Sequence, residues 1–152
     1  MKERLPSQRG FTLLETTLVV ALLGMLSAIA IPAYRGYIEA ANEGRAISDI
    51  GTMSIALYRW ELNTGSFPPD LATAGLDNVL DPWGRPYAYR NIAATKRHDV
   101  RRSRNRHSLN TDFDLYSVGK DGVSKLPLTA AASRDDIIRA RNGGFIGRSE
   151  NY

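Results

Sequence analysis

The chain divides, by its hydrophobic pattern, into a polar start, a continuous apolar run and a mixed remainder. Residues 1–10 are polar, whereas Phe11 to Ile31 is apolar apart from Glu15 and a few hydroxyl or glycine residues. A helix over this run would rise roughly 30 Å, at about 1.5 Å per residue, which is enough to cross the hydrocarbon core of a bilayer. The pattern therefore predicts one membrane-spanning helix over residues 11–33.

The helical pattern continues beyond the apolar run and becomes one-sided. Apolar or small residues recur at helical spacing at Tyr34, Tyr37, Ile38, Ala41, Ile47, Ile50, Met53, Ser54 and Leu57. This stripe predicts an amphipathic continuation over residues 34–65 that packs as a core face. Pro32 removes one backbone donor and should bend or loosen the helix, and Gly65 is a reasonable helix stop.

The remainder, residues 66–152, contains turn signals and short strand-like segments. Asp81-Pro82-Trp83-Gly84 and Gly119-Lys120-Asp121-Gly122 indicate tight turns, and 70–73 indicates one short helix. Strands are predicted at 87–89 and 113–118. The expected fold class is α+β, with a long N-terminal helix packed on a small antiparallel β-sheet.

Composition narrows the chemistry. The 152 residues carry a net charge of only +4, and there is no cysteine, so disulfides, zinc–thiolate sites and cysteine nucleophiles are excluded. Both histidines, His98 and His107, lie in one basic stretch, and no hydrolase, metalloprotease or phosphate-binding motif is present. We therefore expect that the protein is not an enzyme.

The basic stretch, residues 95–107, has two interpretations. Its basic residues are Lys96, Arg97, Arg101, Arg102, Arg104 and Arg106. It could contact an acidic partner, lipid headgroups or nucleic acid, but a solvated loop between strands is the simpler interpretation. Because no aromatic residues interleave with the basic ones, no nucleic-acid partner is expected.

Glu15 distinguishes the apolar run from an ordinary membrane anchor. A carboxylate in an apolar span costs about 2.5 to 3.5 kcal/mol on insertion scales, so such a residue usually has a partner. Cleavage after Gly10 would create a positive amine on Phe11, which Glu15 could pair with in its own chain or in a neighbouring subunit. A secretory signal peptide fits poorly, because the sequence after Ile31 is a weak cleavage site.

The segment Arg9-Gly10-Phe11-Thr12-Leu13-Leu14-Glu15 resembles the prepilin-type signal of type IV pilins and pseudopilins. The resemblance implies that a prepilin peptidase removes the leader, residues 1–10, by cutting between Gly10 and Phe11, and that it methylates the new amine. It also implies that Glu15 guides subunit docking. The positive leader should remain cytoplasmic, so residues 66–152 should be periplasmic.

Asp121 and the pair Asp135-Asp136 are the best candidates for a metal site. A calcium ion needs about six to eight oxygen ligands, and these carboxylates flank a loop poor in large apolar residues. An EF-hand does not fit, because Leu115 stands where that loop needs glycine. The alternative is an Asp-Gly turn and an Asp pair that caps a short helix over 137–141.

The turn sequences and the Asp135-Asp136-Ile137 segment are similar to the major pseudopilin of type II secretion. The resemblance implies calcium bound by Asp121, Asp135 and Asp136, with backbone carbonyls near Val118 and Val123. The stretch 123–134 is longer than the family's usual loop, and the chain continues well beyond Ile137.

The resemblance implies a structural subunit of a pseudopilus that polymerises through its N-terminal helix and drives protein export. Its partners would be the prepilin peptidase, further copies of itself, the minor pseudopilins and the inner-membrane assembly platform. Two alternatives stay open: a type IV pilus subunit for adhesion, motility or DNA uptake, and a membrane-tethered binding module that never polymerises.

Overall fold

One long helix begins the described structure and carries the chain from one compact unit into another. The computed structural model describes residues 10–103 and 107–152, and the two units divide after Glu39. Helix α1 spans Leu13–Thr64 and contains Pro32. The Thr12 hydroxyl caps its start by accepting the Glu15 N–H at 3.2 Å, which satisfies one of the free donors of the first turn.

Gly65 ends the helix as predicted. Its φ of 82° is in the left-handed region, which glycine adopts without a steric penalty, and its N–H donates to the Glu61 carbonyl at 2.7 Å. The helical continuation predicted over residues 34–65 is observed as far as Thr64.

The rest of the chain forms a small antiparallel sheet with a separate two-stranded ribbon. The strands are β1 Ala88–Asn91, β2 Arg102–Ser103, β3 His107–Ser108, β4 Phe113–Ser117, β5 Ile137–Ala140 and β6 Phe145–Arg148. The sheet has the order β1-β4-β5-β6, and β2 pairs with β3. The two predicted strands are confirmed, with the first displaced by one or two residues. The expected α+β class is also confirmed.

Two helical predictions in this part are wrong. Residues 70–73 belong to a turn: the Asp70 carboxylate accepts the Thr73 N–H at 2.8 Å, as at a helix start, but Gly75 with a φ of 69° ends the segment before a helix can continue. The helix considered at 137–141 is largely strand β5, where Ile138 lies opposite Tyr116 of β4 and Gly147 of β6. Its adjacent β-branched residues favour that pairing.

The core lies between the end of α1 and one face of the sheet. Its buried members are Ala46, Ile50, Met53, Leu57, Leu71, Tyr87, Phe113, Leu115 and Ile137. The predicted core stripe is therefore correct from Ile50 to Leu57. It is wrong at Tyr34 and Tyr37, which are 67% and 78% exposed because the helix residues that pack in this core begin at Ala46.

A second buried cluster covers the opposite face of the sheet. It contains Leu109, Leu128, Ile138 and Ala140, with Tyr116 and Phe145 packed against it. Successive residues of a strand point to opposite faces, so Ile137 faces α1 and Ile138 faces this second cluster. The sheet is thus covered on both sides, by the helix on one and by loops on the other.

Candidate functional site

The N-terminal half of α1 presents a continuous apolar surface. Phe11, Leu14 and Ile29 are 78%, 79% and 74% exposed, and none of the most hydrophobic helical window is buried in the chain by itself. The mean hydropathy of that window is 2.1, and α1 is the one helix among the described residues that is long and apolar enough to cross a membrane. Such a surface needs lipid or further protein to cover it.

The polar side chains of this segment are satisfied within the helix. The hydroxyls of Thr16 and Thr17 donate to the carbonyls of Leu13 and Leu14, both at 2.9 Å, and Ser27 donates to Leu23 at 2.7 Å. In a hydrocarbon environment an unsatisfied polar group would cost several kcal/mol. The segment is therefore compatible with lipid except at Glu15.

The three residues predicted for processing and assembly lie together at the start of α1. Gly10 and Phe11 precede the helix, and Glu15 is an exposed side chain in its first turn. The peptide bond predicted to be cut is thus outside the helical hydrogen-bond ladder. Residues 1–9 of the predicted leader lie outside the described residues, and the roles of Gly10, Phe11 and Glu15 stay predictions.

Asp81 organises the loops next to the candidate metal residues. Its Oδ1 accepts the N–H groups of Trp83 and Arg85 at 3.1 and 2.8 Å, and its Oδ2 accepts the Ser117 hydroxyl at 2.6 Å. The Gly84 N–H closes the predicted turn on the Asp81 carbonyl at 2.9 Å. This buried carboxylate therefore fixes the turn at 81–84 to the end of β4.

Of the three carboxylates predicted to share a calcium ion, the structure brings the Asp121 segment into contact with Asp135. The Asp121 N–H donates to Asp135 Oδ2 at 3.0 Å, and Asp121 Oδ1 accepts the Val123 N–H at 2.7 Å. Gly119 permits this approach, because its φ is 66° and a Cβ there would lie 2.4 Å from the Asp135 carbonyl oxygen. No side chain would fit between the two segments.

Asp136 points elsewhere and is paired with an arginine. Its Oδ2 accepts hydrogen bonds from the Arg101 guanidinium and from the Ser124 hydroxyl, the latter at 2.6 Å, while Oδ1 is buried with no hydrogen-bond partner among the described residues. Burial raises the pKa of the Asp136 carboxyl, and the Arg101 charge and the Ser124 hydroxyl oppose that rise. The pair is 2% and 0% exposed.

As placed, the three carboxylates do not fit a calcium site. Within the described residues no three histidine, aspartate or glutamate side chains are grouped closely enough to hold a metal ion. Asp135 is a hydrogen-bond acceptor for the Asp121 backbone, and Asp136 is engaged by Arg101. Calcium binding itself is untested and stays a prediction.

Arg101 also corrects the interpretation of the basic stretch. The solvated-loop interpretation is wrong at this residue, which is 2% exposed and lies 3.9 Å over the Tyr116 ring. Its backbone N–H donates to Asp114 Oδ2 at 2.9 Å. The partners are 13 to 35 positions away along the chain, so no local pattern could have revealed them. Arg104 and Arg106 lie outside the described residues.

A second buried arginine joins α1 to the sheet and was not anticipated from the sequence. Arg139 donates to both oxygens of Asp112 at 2.9 and 2.6 Å, and to the Tyr58 hydroxyl of α1 at 2.8 Å. Its guanidinium lies 4.0 Å over the Phe113 ring. Burial acts to raise the pKa of Asp112, but hydrogen bonds from Arg139 and Tyr58 outweigh burial and hold the pKa below its ordinary value.

Comparison with known proteins finds one matching motif and several related proteins. Residues 5–31 match the prokaryotic N-terminal methylation motif. The type IV major pilin protein PilE of Neisseria gonorrhoeae is 29% identical over 150 residues, covering 93% of this chain and 87% of the relative. The type II secretion system core protein G of Escherichia coli strain K12 is 28% identical over 138 residues, covering 76% and 83%. No solved structure matches at a comparable level.

The type II secretion system core protein G of Aeromonas hydrophila is 31% identical over 153 residues, which cover 86% of this chain and 90% of the relative. The similarity therefore extends well beyond the methylation motif at residues 5–31. The chain belongs to the family of type II secretion system core protein G.

Proposed function

We propose that this protein is a structural subunit of a type II secretion pseudopilus and that it polymerises through the N-terminal half of α1. The observation that carries the proposal is the similarity to core protein G of Aeromonas hydrophila, which covers 86% of the chain. The methylation motif over residues 5–31 supports processing by a prepilin peptidase before assembly.

The exposed apolar surface supports the proposed mechanism. Before assembly, lipid would cover the side chains of residues 11–33, with the N-terminus in the cytoplasm and residues 66–152 in the periplasm. During assembly, neighbouring copies of the same helix would replace the lipid. The minor pseudopilins and the inner-membrane assembly platform would be the other partners. The work is mechanical, and we propose no catalytic role.

Glu15 supplies the register in this mechanism. Its carboxylate would pair with the methylated amine of Phe11 at the tip of a neighbouring helix, since an acid buried in an apolar bundle needs a positive partner. The pairing offsets the burial of both charges only at one axial offset between helices. Docking through Glu15 would thus select one stagger among many that have similar apolar contact.

The proposal is tested by replacing the gene in its native host and measuring secretion into the medium. The Glu15→Ala variant should insert in the membrane and be processed like the wild type, but it should not enter filaments. Secretion should therefore be abolished. Thr17→Ala is the matched control, because it removes a polar atom from the same segment and no charge. Secretion should persist with that control.

Two results would contradict the proposal. Normal secretion and filaments from Glu15→Ala would remove the docking role. A mature protein that still carries its leader, measured by mass spectrometry of its N-terminus, would remove processing and polymerisation together, and would favour a membrane-tethered module.

The alternative of a type IV pilus subunit is supported by the similarity to PilE of Neisseria gonorrhoeae. The Glu15→Ala gene replacement also distinguishes a pseudopilus subunit from a pilus subunit. Loss of twitching motility or DNA uptake with intact secretion would indicate the pilus subunit.

A further inference from the structure

The loop between β4 and β5 is held at its far end by a buried positive charge from the chain itself. Asp136, the last residue before β5, receives hydrogen bonds from Arg101 and from Ser124 inside the loop. Arg101 also donates to the Ser124 hydroxyl at 2.9 Å. The Arg101 guanidinium therefore contacts both Ser124, inside the loop, and Asp136, at its end. It lies beside a carboxylate that was predicted to bind calcium.

A second guanidinium holds the beginning of the same loop. Arg85 Nη1 donates to the Gly119 carbonyl at 2.6 Å, and both terminal nitrogens lie 3.3 Å from the Lys120 carbonyl. A Cβ at Gly122 would lie 2.6 Å from Arg85 Cζ, so the guanidinium lies directly against the turn. Carbonyl oxygens that converge on one positive group are the ligand type that calcium also prefers.

The two arginines are themselves fixed by the rest of the fold. The Arg85 N–H is bonded to buried Asp81, and the Arg101 N–H is bonded to buried Asp114, at 2.8 and 2.9 Å. The Arg101 side chain also stacks on Tyr116 of β4. Both arginines are thus anchored through their backbones outside the loop, and Arg101 also through its side chain.

We propose that in this chain the guanidinium groups of Arg85 and Arg101 supply the positive charge that holds the loop 119–136 in place, and that the loop folds without a divalent cation. A fixed guanidinium satisfies carbonyl and carboxylate oxygens through directional hydrogen bonds, as a metal ion does through coordination. The proposal concerns the fold of the chain and is independent of whether the chain forms filaments.

The first test compares thermal unfolding of the full chain in detergent micelles with EGTA and with about 10 mM calcium, which exceeds the dissociation constants of weak calcium modules. Unfolding is followed by tryptophan fluorescence, to which Trp83 beside the Asp81 turn contributes. The melting temperature should agree within about 1 °C, since a ligand stabilises a fold only by binding it. A rise of about 5 °C or more with calcium would overturn the proposal and establish the metal site.

The second test removes each cation. Arg101→Gln should lower the melting temperature by about 10 °C or more, because it leaves a buried carboxylate without its partner. Arg85→Gln should lower it by a few degrees, about the loss of hydrogen bonds to carbonyls at a partly exposed site. Arg59→Gln, on an exposed face of α1, is the matched control and should leave the melting temperature unchanged within about 1 °C.

A double-mutant cycle keeps the test decisive if a single variant folds poorly. Combining Arg101→Gln with Asp136→Asn removes both charges. The melting temperature of the double variant should therefore fall by less than the sum of the decreases in the two single variants. Additive losses would show that Arg101 and Asp136 are not coupled and would overturn the arginine role. The calcium comparison on the wild type needs no variant.

Discussion

The two units of the chain handle polar groups in opposite ways. In residues 10–39, hydroxyls bond to carbonyls of their own helix, and the apolar side chains are left exposed. In residues 40–152, charged groups are buried and paired over long sequence distances, as in Arg139 with Asp112 and Arg101 with Asp136. The first unit is complete only with surroundings that cover it, whereas the second encloses its own core.

The difference follows from what each unit has available to bury. The core of the second unit, the domain of residues 40–152, is built from short strands and the end of one helix. Part of the specificity of its fold therefore comes from buried arginines, whose planar guanidinium groups need partners in fixed positions. The N-terminal segment has abundant apolar surface and one acid, so Glu15 is the residue predicted to give specificity to its assembly. Substitutions in the two units should therefore separate domain stability from assembly.

The largest effect is expected at Arg139. Arg139→Met keeps much of the aliphatic volume but leaves Asp112 without its charge partner, and we expect a loss of about 3 to 5 kcal/mol in the free energy of unfolding. The measurement is chemical denaturation of the full chain in detergent. A loss below about 1 kcal/mol would show that the pair does not secure α1 to the sheet.

The effect of pH on the free energy of unfolding should be smaller than that of Arg139→Met, and its direction should reverse as the pH falls. Burial, partly opposed by hydrogen bonds from neighbouring groups, raises the pKa of Asp114 and of Asp136 above 3.8, so these groups take up protons in the folded state first and stability rises as pH falls towards 3.8. The Asp112 pKa is lowered, so its contribution is present above 3.8 and is lost as pH falls through the folded pKa.

The folded-state pKa values of these three groups lie on both sides of the ordinary aspartate value. Melting temperatures measured from neutral pH down to about pH 2 should therefore pass through a maximum. In Asp112→Asn the decline at low pH should be weaker than in the wild type. An equal decline in both proteins would assign the acid sensitivity to other carboxyl groups.

The smallest effect is expected in the N-terminal unit. Leu23→Ala removes an exposed side chain, 57% exposed in the chain alone, and should change the unfolding free energy of the domain by less than about 0.5 kcal/mol. The same variant should weaken filament formation, because it removes apolar contact between helices. Domain destabilisation above about 1 kcal/mol would show that the two units are energetically linked.

The sequence predicted the elements that depend on local patterns. The apolar run, the Gly65 stop and the strand at 113–118 follow from periodicity and from the freedom of glycine, and each is observed. The Asp-Gly turn and the acidic pair that bracket one loop indicated a metal site of three carboxylates, and the structure brings only the Asp121 N–H and the Asp135 carboxylate into contact. These signals act over a few residues or across a single loop.

The roles of Arg101 and Arg139 could not be predicted in this way. Their carboxylate partners lie 35 and 27 positions away, respectively, and in the sequence both look like ordinary solvent-facing charges. Ile137 to Ala140 shows no alternation of apolar and polar residues, because β5 is buried on both faces. Only the assembled sheet reveals which arginines face inward.

The internally bonded hydroxyls of Thr16, Thr17 and Ser27 have a consequence for transfer between environments. A helix that keeps every such donor on its own backbone can exchange hydrocarbon tails for neighbouring chains without breaking a single hydrogen bond. The free-energy change of such a transfer would then come from apolar contacts and from the Glu15 carboxylate.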